Sequence, residues 1–458
     1  MKLSDIAMAT HGKLIGEDCH FYGICTDSRL IQRGELFIAL VGEKFDGHKY
    51  ISSVAELGAC AVVVDHVVES DVPQILVSDT LIALGLIGSC FAVSSDAELV
   101  ALTGSCGKTT TKEMIRLSLS RFGSVHATQG NFNNHIGVPL TLGALKKENL
   151  YGVIEMGASG LDEIKYTVSL IKPKVVLITN ASQAHLEGFG SFENIVQAKG
   201  EIIRFSSPDS CVVLNKDDAS YQAWHNMLDG RKEVTFSARP DSQSDVYLVR
   251  KESLSGIGYL LVVNVDSIQV EFELHAAGDH MIQNALAALA VAYALKVDVS
   301  VAAKGLSSFH PVKGRLSPIN VNGFTVWDDS YNANPRSVEA AIQAVGEQKG
   351  EKWLVLGALA ELGDSAESAH AEIGACALKN NFDRVFAIGP LAERVVEHDG
   401  LFGTAYKKTD MDVLISDLQN DIKDGLHILV KGSRSAGMEK VIEALQSDFD
   451  QQKNNIIK

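Results

Sequence analysis

The sequence lacks any hydrophobic run long enough to cross a membrane. Its longest apolar stretch, residues 81–93, is broken by glycine and falls short of the roughly 20 residues that a membrane-spanning helix needs. The first residues, MKLSD, lack the apolar core of a signal peptide. Basic residues are in the minority, with 41 Lys and Arg against 57 Asp and Glu and a formal net charge of −16. We therefore predict a cytoplasmic protein that has no membrane span and no nucleic-acid partner.

Paired cysteines and low-complexity segments are missing as well. The seven cysteines are scattered, odd in number and never spaced C-x-x-C, which favours reduced thiols over a disulfide framework or a zinc site. No long low-complexity run interrupts the 458 residues. With 46% apolar residues the chain can bury sizeable cores, and its length is enough for about three domains.

A glycine loop between a strand and a helix is the strongest feature that is present. Residues 99–102 predict a buried strand, and the spacing of Ile115, Leu119 and Phe122 predicts a helix that ends near Gly123. In such a loop, backbone N–H groups and a lysine bind phosphate, while a threonine hydroxyl can ligate Mg²⁺. The alternative is an ordinary strand–turn–helix with a coincidental lysine. The candidate phosphate-binding residues are Gly104, Ser105, Cys106, Gly107, Lys108, Thr109 and Thr110.

Changes in residue pattern divide the chain into three predicted domains. Residues 1–81 alternate short strands and turns, and Asp79-Thr80 at their end can cap a helix. In residues 82–313 strands alternate with helices, which is typical of an α/β domain with a parallel sheet covered on both faces. Residues 314–458 repeat strand, glycine turn and helix, with Asn334 and Pro335 suited to start one helix. This pattern predicts a doubly wound, Rossmann-like α/β domain, which binds ligands beyond the carboxyl ends of its strands.

Four side chains outside the loop are candidates for the site, each with an alternative. Glu155 ends an apolar strand, where a carboxylate either holds a metal beside the phosphates or reaches water. His185 lies in a polar glycine loop, as functional and surface histidines both do. Asn284 lies in a helix that is apolar nearly all round, so it either packs against backbone or contacts a ligand. On its pattern alone, Lys199 is interpreted as a solvated helix lysine.

Together these motifs resemble the Mur ligases of peptidoglycan synthesis. The resemblance covers essentially the whole chain, and its motifs are TGSCGKT, EMGAS, HLEGFG, AKGE around Lys199, KGRL around Arg315, and DDSYNANP. The family's loop has the shorter form G-x-x-G-K-[ST], which accounts for Leu102 at the position where the general phosphate-loop pattern has glycine. The motifs TDSR, DGHKYI, GNFNNHIGVP and VKGSRS resemble the branch of the family that adds a D-alanyl-D-alanine dipeptide.

The resemblance implies an ATP-dependent amide ligase. ATP would phosphorylate the terminal carboxylate of a UDP-N-acetylmuramoyl-tripeptide, and the amine of D-alanyl-D-alanine would attack the acyl phosphate to give an amide, ADP and phosphate. Thr109 and Glu155 would hold one Mg²⁺. His185 and Lys199 would serve a second, with Lys199 carrying CO₂ as a carbamate, because an ammonium cannot ligate a metal. The implied catalytic residues are Lys108, Lys199, His185 and Arg315.

The same resemblance implies further ligand contacts. Asn284 would contact adenine, Asp329 the ribose, and Arg315 the γ-phosphate, and Tyr331 would also contact the nucleotide. The implied substrate-binding residues are Ser28, Arg29, Asp46, Gly47, His48, Asn131, Asn133, Asn134, Asn332, Ser433 and Arg434. The first five would face the uridine diphosphate, and the turn from Lys431 to Arg434 would face the dipeptide, although turn chemistry alone also explains such polar clusters. We expect the protein to be a monomer.

Other functions stay open on the residues alone. A sibling ligase, such as the diaminopimelate-adding Mur enzyme or folylpolyglutamate synthetase, shares the central domain but should lack GNFNNHIG and VKGSRS. A P-loop kinase or GTPase-type switch would need a Walker-B aspartate and, for guanine, an N-K-x-D motif, which we expect this chain to lack. A non-catalytic nucleotide-binding module would leave Glu155, His185 and Lys199 without a joint purpose.

Overall fold

The computed structural model describes residues 1–183, 186–240 and 243–456, with the side chains of residues 186 and 448–456 excepted. Its described strands form three sheets that follow one another along the chain. Helices connect the strands within each sheet, so the predicted α/β class is confirmed. The described chain has three parts, and each is built around one sheet. Among the described residues, no helix combines the length and the apolar character needed to cross a membrane.

The first sheet has five strands, and the helix that follows its last strand packs against it. Its elements are α1 (Leu3–Ala9), β1 (Lys13–Ile15), β2 (Ile24–Cys25), β3 (Leu36–Ile38), a 3₁₀ turn (Gly47–Tyr50), α2 (Ile51–Glu56), β4 (Ala61–Val64), β5 (Gln74–Leu76) and α3 (Thr80–Ser94). The strand order is β1-β5-β4-β3-β2, with only β1 antiparallel to its neighbour. Asp79 caps α3 as predicted, because its carboxylate accepts the N–H groups of Leu81 and Ile82.

Helix α3 lies across the domain boundary predicted near residue 81. Its buried residues Leu84 and Ile87 belong to the same apolar cluster as Leu36 and Ile38 of the first sheet. The helix also contacts the segment that begins at Gly137, which belongs to the second sheet's part of the chain. The boundaries at 81 and 313 therefore stay predictions, with this helix shared between two parts.

The second sheet has nine strands and carries the glycine loop at the end of one of its interior strands. Its elements are β6 (Glu98–Thr103), α4 (Lys108–Leu119), β7 (Val125–Ala127), α5 (Gly137–Gly143), β8 (Tyr151–Glu155), α6 (Glu163–Ser169), β9 (Val175–Ile178), α7 (Leu186–Phe189), α8 (Phe192–Arg204), β10 (Cys211–Asn215), α9 (Tyr221–His225), β11 (Glu233–Ser237), β12 (Val246–Ser253), β13 (Tyr259–Val265), β14 (Ile268–Leu274), α10 (Asp279–Ala294) and α11 (Val299–Leu306). The strand order is β14-β13-β12-β11-β10-β9-β6-β8-β7. Strand β6 lies between β8 and β9, so the loop that follows it stands beside the ends of both neighbours.

Two expectations for this part were wrong. The sheet is not wholly parallel, because β12, β13 and β14 pair antiparallel. Only two residues connect β13 to β14, and so short a connection can join antiparallel strands only. Helix α4 ends at Leu119 rather than near Gly123, since the N–H of Phe122 turns back to the carbonyl of Leu119.

The third sheet has six strands, and all pairs except the first are parallel. Its elements are β15 (Ser317–Val321), β16 (Phe324–Asp329), α12 (Pro335–Gly346), β17 (Lys352–Gly357), a 3₁₀ turn (Gly363–Ser365), α13 (Ala366–Lys379), β18 (Arg384–Ile388), α14 (Ala392–Val396), β19 (Phe402–Tyr406), α15 (Met411–Asp421), β20 (His427–Lys431), a 3₁₀ turn (Arg434–Ala436) and α16 (Glu439–Ile456). The order is β15-β16-β20-β17-β18-β19. Asn334 caps α12 and Pro335 is its first residue, as predicted.

Candidate active site

A cavity of about 440 Å³ lies where the second and third sheets face one another. The glycine loop and the asparagine-rich segment after β7 form one wall, and the carboxyl ends of β16 and β20 form the other. The predicted site residues that line it are Ser105, Cys106, Gly107, Lys108, Thr109, Thr110, Asn131, Asn133, Asn134, Glu155, Asn284, Arg315, Asp329, Tyr331 and Asn332. The structure thus brings together residues that are more than 200 positions apart in the sequence.

Two glycines give the phosphate loop its shape. Gly107 has φ of +79°, and a Cβ there would stand 2.6 Å from Oδ1 of Asn284. A Cβ on Gly104 would stand 2.0 Å from the Thr179 hydroxyl oxygen. Asn180 holds the turn between the glycines, because its side chain accepts the N–H of Cys106 and donates to the carbonyl of that residue, both at 3.0 Å. The loop is therefore held in shape by neighbouring side chains.

Lys108 lies at the start of α4 and turns back over the loop. Its Nζ donates to the carbonyl of Gly104 at 2.6 Å and to that of Ser105 at 3.4 Å. Burial lowers the pKa of Lys108, and the negative charge of Glu155 opposes that shift. The ammonium thus stands at the N-terminal end of a helix, where both the helix dipole and its own charge favour a phosphate.

Glu155 is a buried carboxylate with one oxygen to spare. Its side chain is on a residue only 1% exposed, and Oε1 accepts hydrogen bonds from Asn133 at 2.8 Å and from Thr109 at 3.3 Å. Within the described part of the chain, Oε2 has no hydrogen-bond partner. A buried, unpartnered carboxylate oxygen beside a threonine hydroxyl is a donor set that suits Mg²⁺. The predicted pair Thr109 and Glu155 therefore fits a magnesium ion.

Lys199 is not the solvated lysine that its sequence pattern suggests. The residue is 2% exposed, on the buried side of α8, and its Nζ stands 5.1 Å from the centre of the Phe189 ring. Burial, helped by the positive charge of Lys108, lowers the pKa of Lys199 to about 7, while Glu163 and Glu201 oppose the shift. At neutral pH a large fraction of this amine is therefore uncharged. The other predicted metal ligand, His185, lies outside the described residues.

The third sheet contributes a cluster of charges to the opposite wall. The Arg315 guanidinium stacks on the Tyr331 ring at 4.1 Å. Asp329 pairs with the buried Lys431 at 2.6 Å and accepts the N–H of Leu316 at 3.0 Å. Burial raises the pKa of Asp329, against the lowering effect of Lys431. Two cations and one carboxylate thus face the phosphate loop across the cavity.

Asn284 lies directly behind the loop. Its Oδ1 accepts a hydrogen bond from the Thr111 hydroxyl at 3.1 Å, and the residue lines the cavity beside Gly107. His280, one turn earlier on α10, also lines the cavity, and burial lowers its pKa to about 4. Sequence reasoning missed His280, because the start of an apolar helix does not mark a side chain as cavity-facing. It placed Lys431 in a turn that faces the dipeptide, and the structure buries Lys431 against Asp329 in the cavity wall.

The predicted contacts to the uridine diphosphate lie apart from this cavity, on the first sheet. Arg29 is exposed and forms a two-bond pair with Asp27, which lowers the pKa of that carboxyl to about 2. His48 lies between Asp46 and Asp65, at 2.8 Å and 3.2 Å. The predicted residues outside the cavity lining are Ser28, Arg29, Asp46, Gly47, His48, Gly104, Lys199, Ser433 and Arg434. Of these, Gly104 belongs to the loop itself and Arg434 donates its N–H to Asn332 Oδ1 at 3.4 Å.

Residues 215–218 match the letters of the N-K-x-D guanine motif, so the expectation that the chain lacks it is wrong. In the structure the first and last of these residues hold backbone groups of the turn that follows β9. Asn215 donates to the carbonyl of Thr179 at 3.3 Å, and Asp218 accepts the N–H of Ala181 at 3.1 Å. The tetrapeptide thus supports the turn that holds the phosphate loop, and it does not favour a GTPase-type switch.

Comparison with known families covers most of the chain. The model "Mur ligase family, catalytic domain" matches residues 20–101, "Mur ligase middle domain" matches 102–292, and "Mur ligase, glutamate ligase domain" matches 314–434. Together these three matches cover strands β2 to β5 of the first sheet, the phosphate loop and the six strands of the third sheet.

Individual relatives match over almost their full length. The UDP-N-acetylmuramoyl-tripeptide--D-alanyl-D-alanine ligase of Escherichia coli K12 is 37% identical, over 97% of this chain and 98% of that protein. The protein of the same name from Bacillus subtilis 168 is 35% identical, over 94% of each. A crystal structure of MurF from Acinetobacter baumannii has a TM-score of 0.89 and 33% identity, over 97% of this chain and 98% of the other. The MurF ligase of Thermotoga maritima in complex with ADP has a TM-score of 0.82 and 28% identity, over 94% and 98%. The chain therefore belongs to the Mur ligase family, whose members are ATP-dependent ligases that form amide bonds.

Proposed function

We propose that this protein joins D-alanyl-D-alanine to a UDP-N-acetylmuramoyl-tripeptide, with the consumption of ATP, in the synthesis of a peptidoglycan precursor. The observation that carries the proposal is the cavity in which Lys108 and Glu155 face Arg315 across the two sheets. Near-full-length similarity to ligases named for these substrates supports the choice of substrates. The product would be the UDP-N-acetylmuramoyl-pentapeptide, with ADP and phosphate.

Charge repulsion is the main obstacle to the first step. The tripeptide carboxylate and the phosphates of ATP are all anions, so cations must offset their charge before a carboxylate oxygen can attack the γ-phosphorus. Lys108 on the loop and Arg315 beside the third sheet supply positive charge from opposite walls of the cavity. As the new oxygen–phosphorus bond forms, the bond from that phosphorus to ADP breaks, and an acyl phosphate results.

The second step forms the amide bond. The dipeptide amine attacks the acyl carbon, phosphate leaves with the electrons of the broken carbon–oxygen bond, and the nitrogen loses a proton. We propose that Asn332, Ser433 and Arg434 at the ends of the third sheet position the dipeptide. In support, Asn332 accepts the backbone N–H of Arg434, and Ser433 accepts the N–H of Ala360 at 2.8 Å, so Asn332 lies against the turn that contains the other two residues. Closing of the cavity would exclude water, which would otherwise hydrolyse the acyl phosphate.

Magnesium would be held by Thr109 and Glu155, and it would supply charge neutralisation at the phosphates. The free Oε2 of Glu155 supports this assignment. We further propose that Lys199 carries CO₂ as a carbamate and, with His185, serves a second Mg²⁺. The uncharged amine at neutral pH supports this step, because only a neutral nitrogen can form the bond to the carbon of CO₂, with the release of one proton.

The remaining assignments belong to the same proposal. Asn284, Asp329 and Tyr331 would contact the nucleotide, and Asn131, Asn133 and Asn134 would contact the muramoyl-peptide substrate at the loop wall. The clusters at residues 28–29 and 46–48 would bind the uridine diphosphate on the first sheet. We propose three domains, residues 1–81, 82–313 and 314–458, in a cytoplasmic monomer. The elution volume in gel filtration tests the monomer.

The acceptor requirement tests the function directly. With purified UDP-N-acetylmuramoyl-tripeptide and ATP, phosphate release should depend on added D-alanyl-D-alanine. It should be absent when diaminopimelate, lysine or glutamate is the sole amine, because those free amino acids are the acceptors of sibling ligases. Equal phosphate release with a free diamino acid would contradict the proposal and favour a sibling activity. Lys108→Ala serves as the inactive control, with an expected loss of about 10²-fold or more.

A further inference from the structure

One arginine of the third sheet's part of the chain reaches across to the second sheet. Arg336, in the first turn of α12, donates from Nη1 to the carbonyl of Ala181 at 2.8 Å. The same nitrogen stands 3.7 Å from Oδ2 of Asp218. The Arg336 side chain is 50% exposed whereas that of Asp218 is only 2% exposed, so a half-exposed cation meets a buried anion. None of the motifs used to interpret the sequence includes this arginine.

The surface that receives Arg336 is rigidly built. Asp218 accepts the N–H of Ala181 with Oδ2, at 3.1 Å, and the N–H of Ser220 with Oδ1, at 2.9 Å. The carboxylate and the Ala181 carbonyl are therefore held next to one another by the backbone itself. A guanidinium offers several donors in a fixed plane, which suits two adjacent oxygen acceptors better than an ammonium does.

This contact is continuous with the phosphate loop. Ala181 follows Asn180, the residue that binds both backbone groups of Cys106 in the loop. From the same end of α12, Nδ2 of Asn334 stands 3.2 Å from the Cys106 sulfur. The first turn of α12 thus touches the loop at Cys106 and the supporting turn at Ala181.

We propose that Arg336 is a positioning residue, which seats α12 against the phosphate loop and thereby sets the closed arrangement of the cavity. The segment just before α12 carries Asp329 and Tyr331, and Tyr331 in turn supports Arg315 by stacking. Moving the start of α12 away from Ala181 would carry this wall away from Lys108. The consequence for catalysis rests on the proposed function, whereas the consequence for closure does not.

Closure is measured first, without any substrate. The half-buried Cys106 thiol is partly covered by Asn334, so opening of the cavity should expose it. In Arg336→Gln, alkylation of Cys106 by iodoacetamide, followed by peptide mass spectrometry, should be about 3- to 10-fold faster. That factor corresponds to the net effect of losing one ordinary hydrogen bond, because solvent screens the charge of the half-exposed guanidinium. Arg394→Gln is the matched control, because Arg394 is 48% exposed and pairs with Glu367 and Glu397 within the third part of the chain. Its Cys106 rate should equal that of the parent.

Turnover is measured second. Arg336→Gln should lower kcat by a similar factor while the Kd for ADP and the melting temperature change little, and Arg336→Lys should fall between the parent and the glutamine variant. Unchanged Cys106 alkylation in Arg336→Gln would overturn the proposal whatever the enzyme does. A loss of ADP affinity with unchanged alkylation would make Arg336 a ligand contact instead. If neither the parent nor any variant turns over substrate, the proposed function fails. The alkylation result still decides the role of Arg336.

Discussion

Burial decides the chemical state of Lys199. A solvated lysine stays protonated far above neutral pH, whereas burial of the Lys199 side chain on the inner side of α8 lowers its pKa to about 7. Sequence pattern alone could not separate the two cases, since AKGE is an ordinary helical sequence and the burial comes from the strands that α8 packs against. The neutral amine is what makes the proposed carbamate chemically accessible.

The carbamate predicts a dependence on CO₂ and on pH. Enzyme stripped of CO₂ and bicarbonate should lose activity, and reactivation at a fixed CO₂ concentration should become faster as the pH rises through about 7, because the amine is protonated below its pKa. Lys199→Arg should be nearly inactive with its fold retained, since a guanidinium fills the space but offers no oxygen to a metal. Phosphate release and circular dichroism measure the two effects.

Lys165→Arg is the control for that experiment, because Lys165 is an exposed lysine of the neighbouring helix paired with Asp162. It should keep parental activity and the parental response to CO₂. A fully active Lys199→Arg enzyme would rule out the carbamate.

Glu155→Gln should raise the Mg²⁺ concentration needed for activity and lower the maximal rate by about 10²-fold, the usual cost of removing one preorganised charge from such a site. The reason is the free Oε2, which an amide nitrogen replaces with a donor that repels a cation. A Mg²⁺ titration of phosphate release at fixed ATP measures the shift. Glu98→Gln, at the opposite end of neighbouring strand β6, should leave the Mg²⁺ midpoint in place. An unchanged midpoint in Glu155→Gln would remove this carboxylate from the metal site.

At the scale of elements, the phosphate loop is held between β6, α4 and α10. Position 107 requires glycine, because the backbone there has a positive φ and a side chain would collide with Asn284. The asparagine is in turn fixed by Thr111 on α4. The loop therefore depends on a helix almost 180 residues later in the chain, and its shape is a property of the packed elements.

Gly107→Ala should destabilise the loop for two reasons, its positive φ and the contact at 2.6 Å with Asn284. The expected loss is about 1–3 kcal/mol of unfolding free energy, together with loss of ADP binding. Gly130→Ala separates the two causes, because Gly130 also has positive φ, +51°, but a Cβ there meets nothing within 4 Å. Urea unfolding and ADP titration should show a clearly larger effect at Gly107. Equal effects at both positions would mean that Asn284 moves aside without a loss of unfolding free energy.

At the scale of the whole molecule, the proposed reaction centre lies in the cavity where two sheets meet. Neither wall of the cavity carries the full set of charges, because Lys108 and Glu155 come from the second sheet and Arg315 lies beside the third. An arrangement of this kind lets substrates enter when the parts separate and assembles the charges when they close. Residues that act only in the closed form should affect rate more than binding.

Arg315→Ala tests that expectation. It should lower kcat more than it weakens ATP binding, because the guanidinium would act on the γ-phosphate in the closed form and contribute little to the first encounter. Steady-state kinetics and ATP titration separate the two quantities, with Arg394→Ala as a control that should behave as the parent. A variant that loses ATP affinity while its saturated rate stays intact would contradict this role.

The sequence by itself determined the local features. The loop from Gly104 to Thr110 and the caps at Asp79 and Asn334 were predictable because they depend on residues within a few positions of one another. The α/β class was predictable for the same reason, since alternating apolar strands and helices are a local pattern. Glu155 was predicted as a metal ligand from the resemblance and from its place at the end of a strand, and its free oxygen now supports that prediction.

Only the tertiary structure decided the properties that depend on distant partners. The burial of Lys199 and the contact between Arg336 and Ala181 each depend on segments that are far apart in the sequence, and the pattern of one segment does not reveal the other. Burial and electrostatic environment are sums over all neighbours in space, so a lysine in an ordinary helical sequence acquires its lowered pKa only when the strands and the phosphate loop pack around it. The cavity itself has the same origin, because it is the space left where two separately patterned sheets come together.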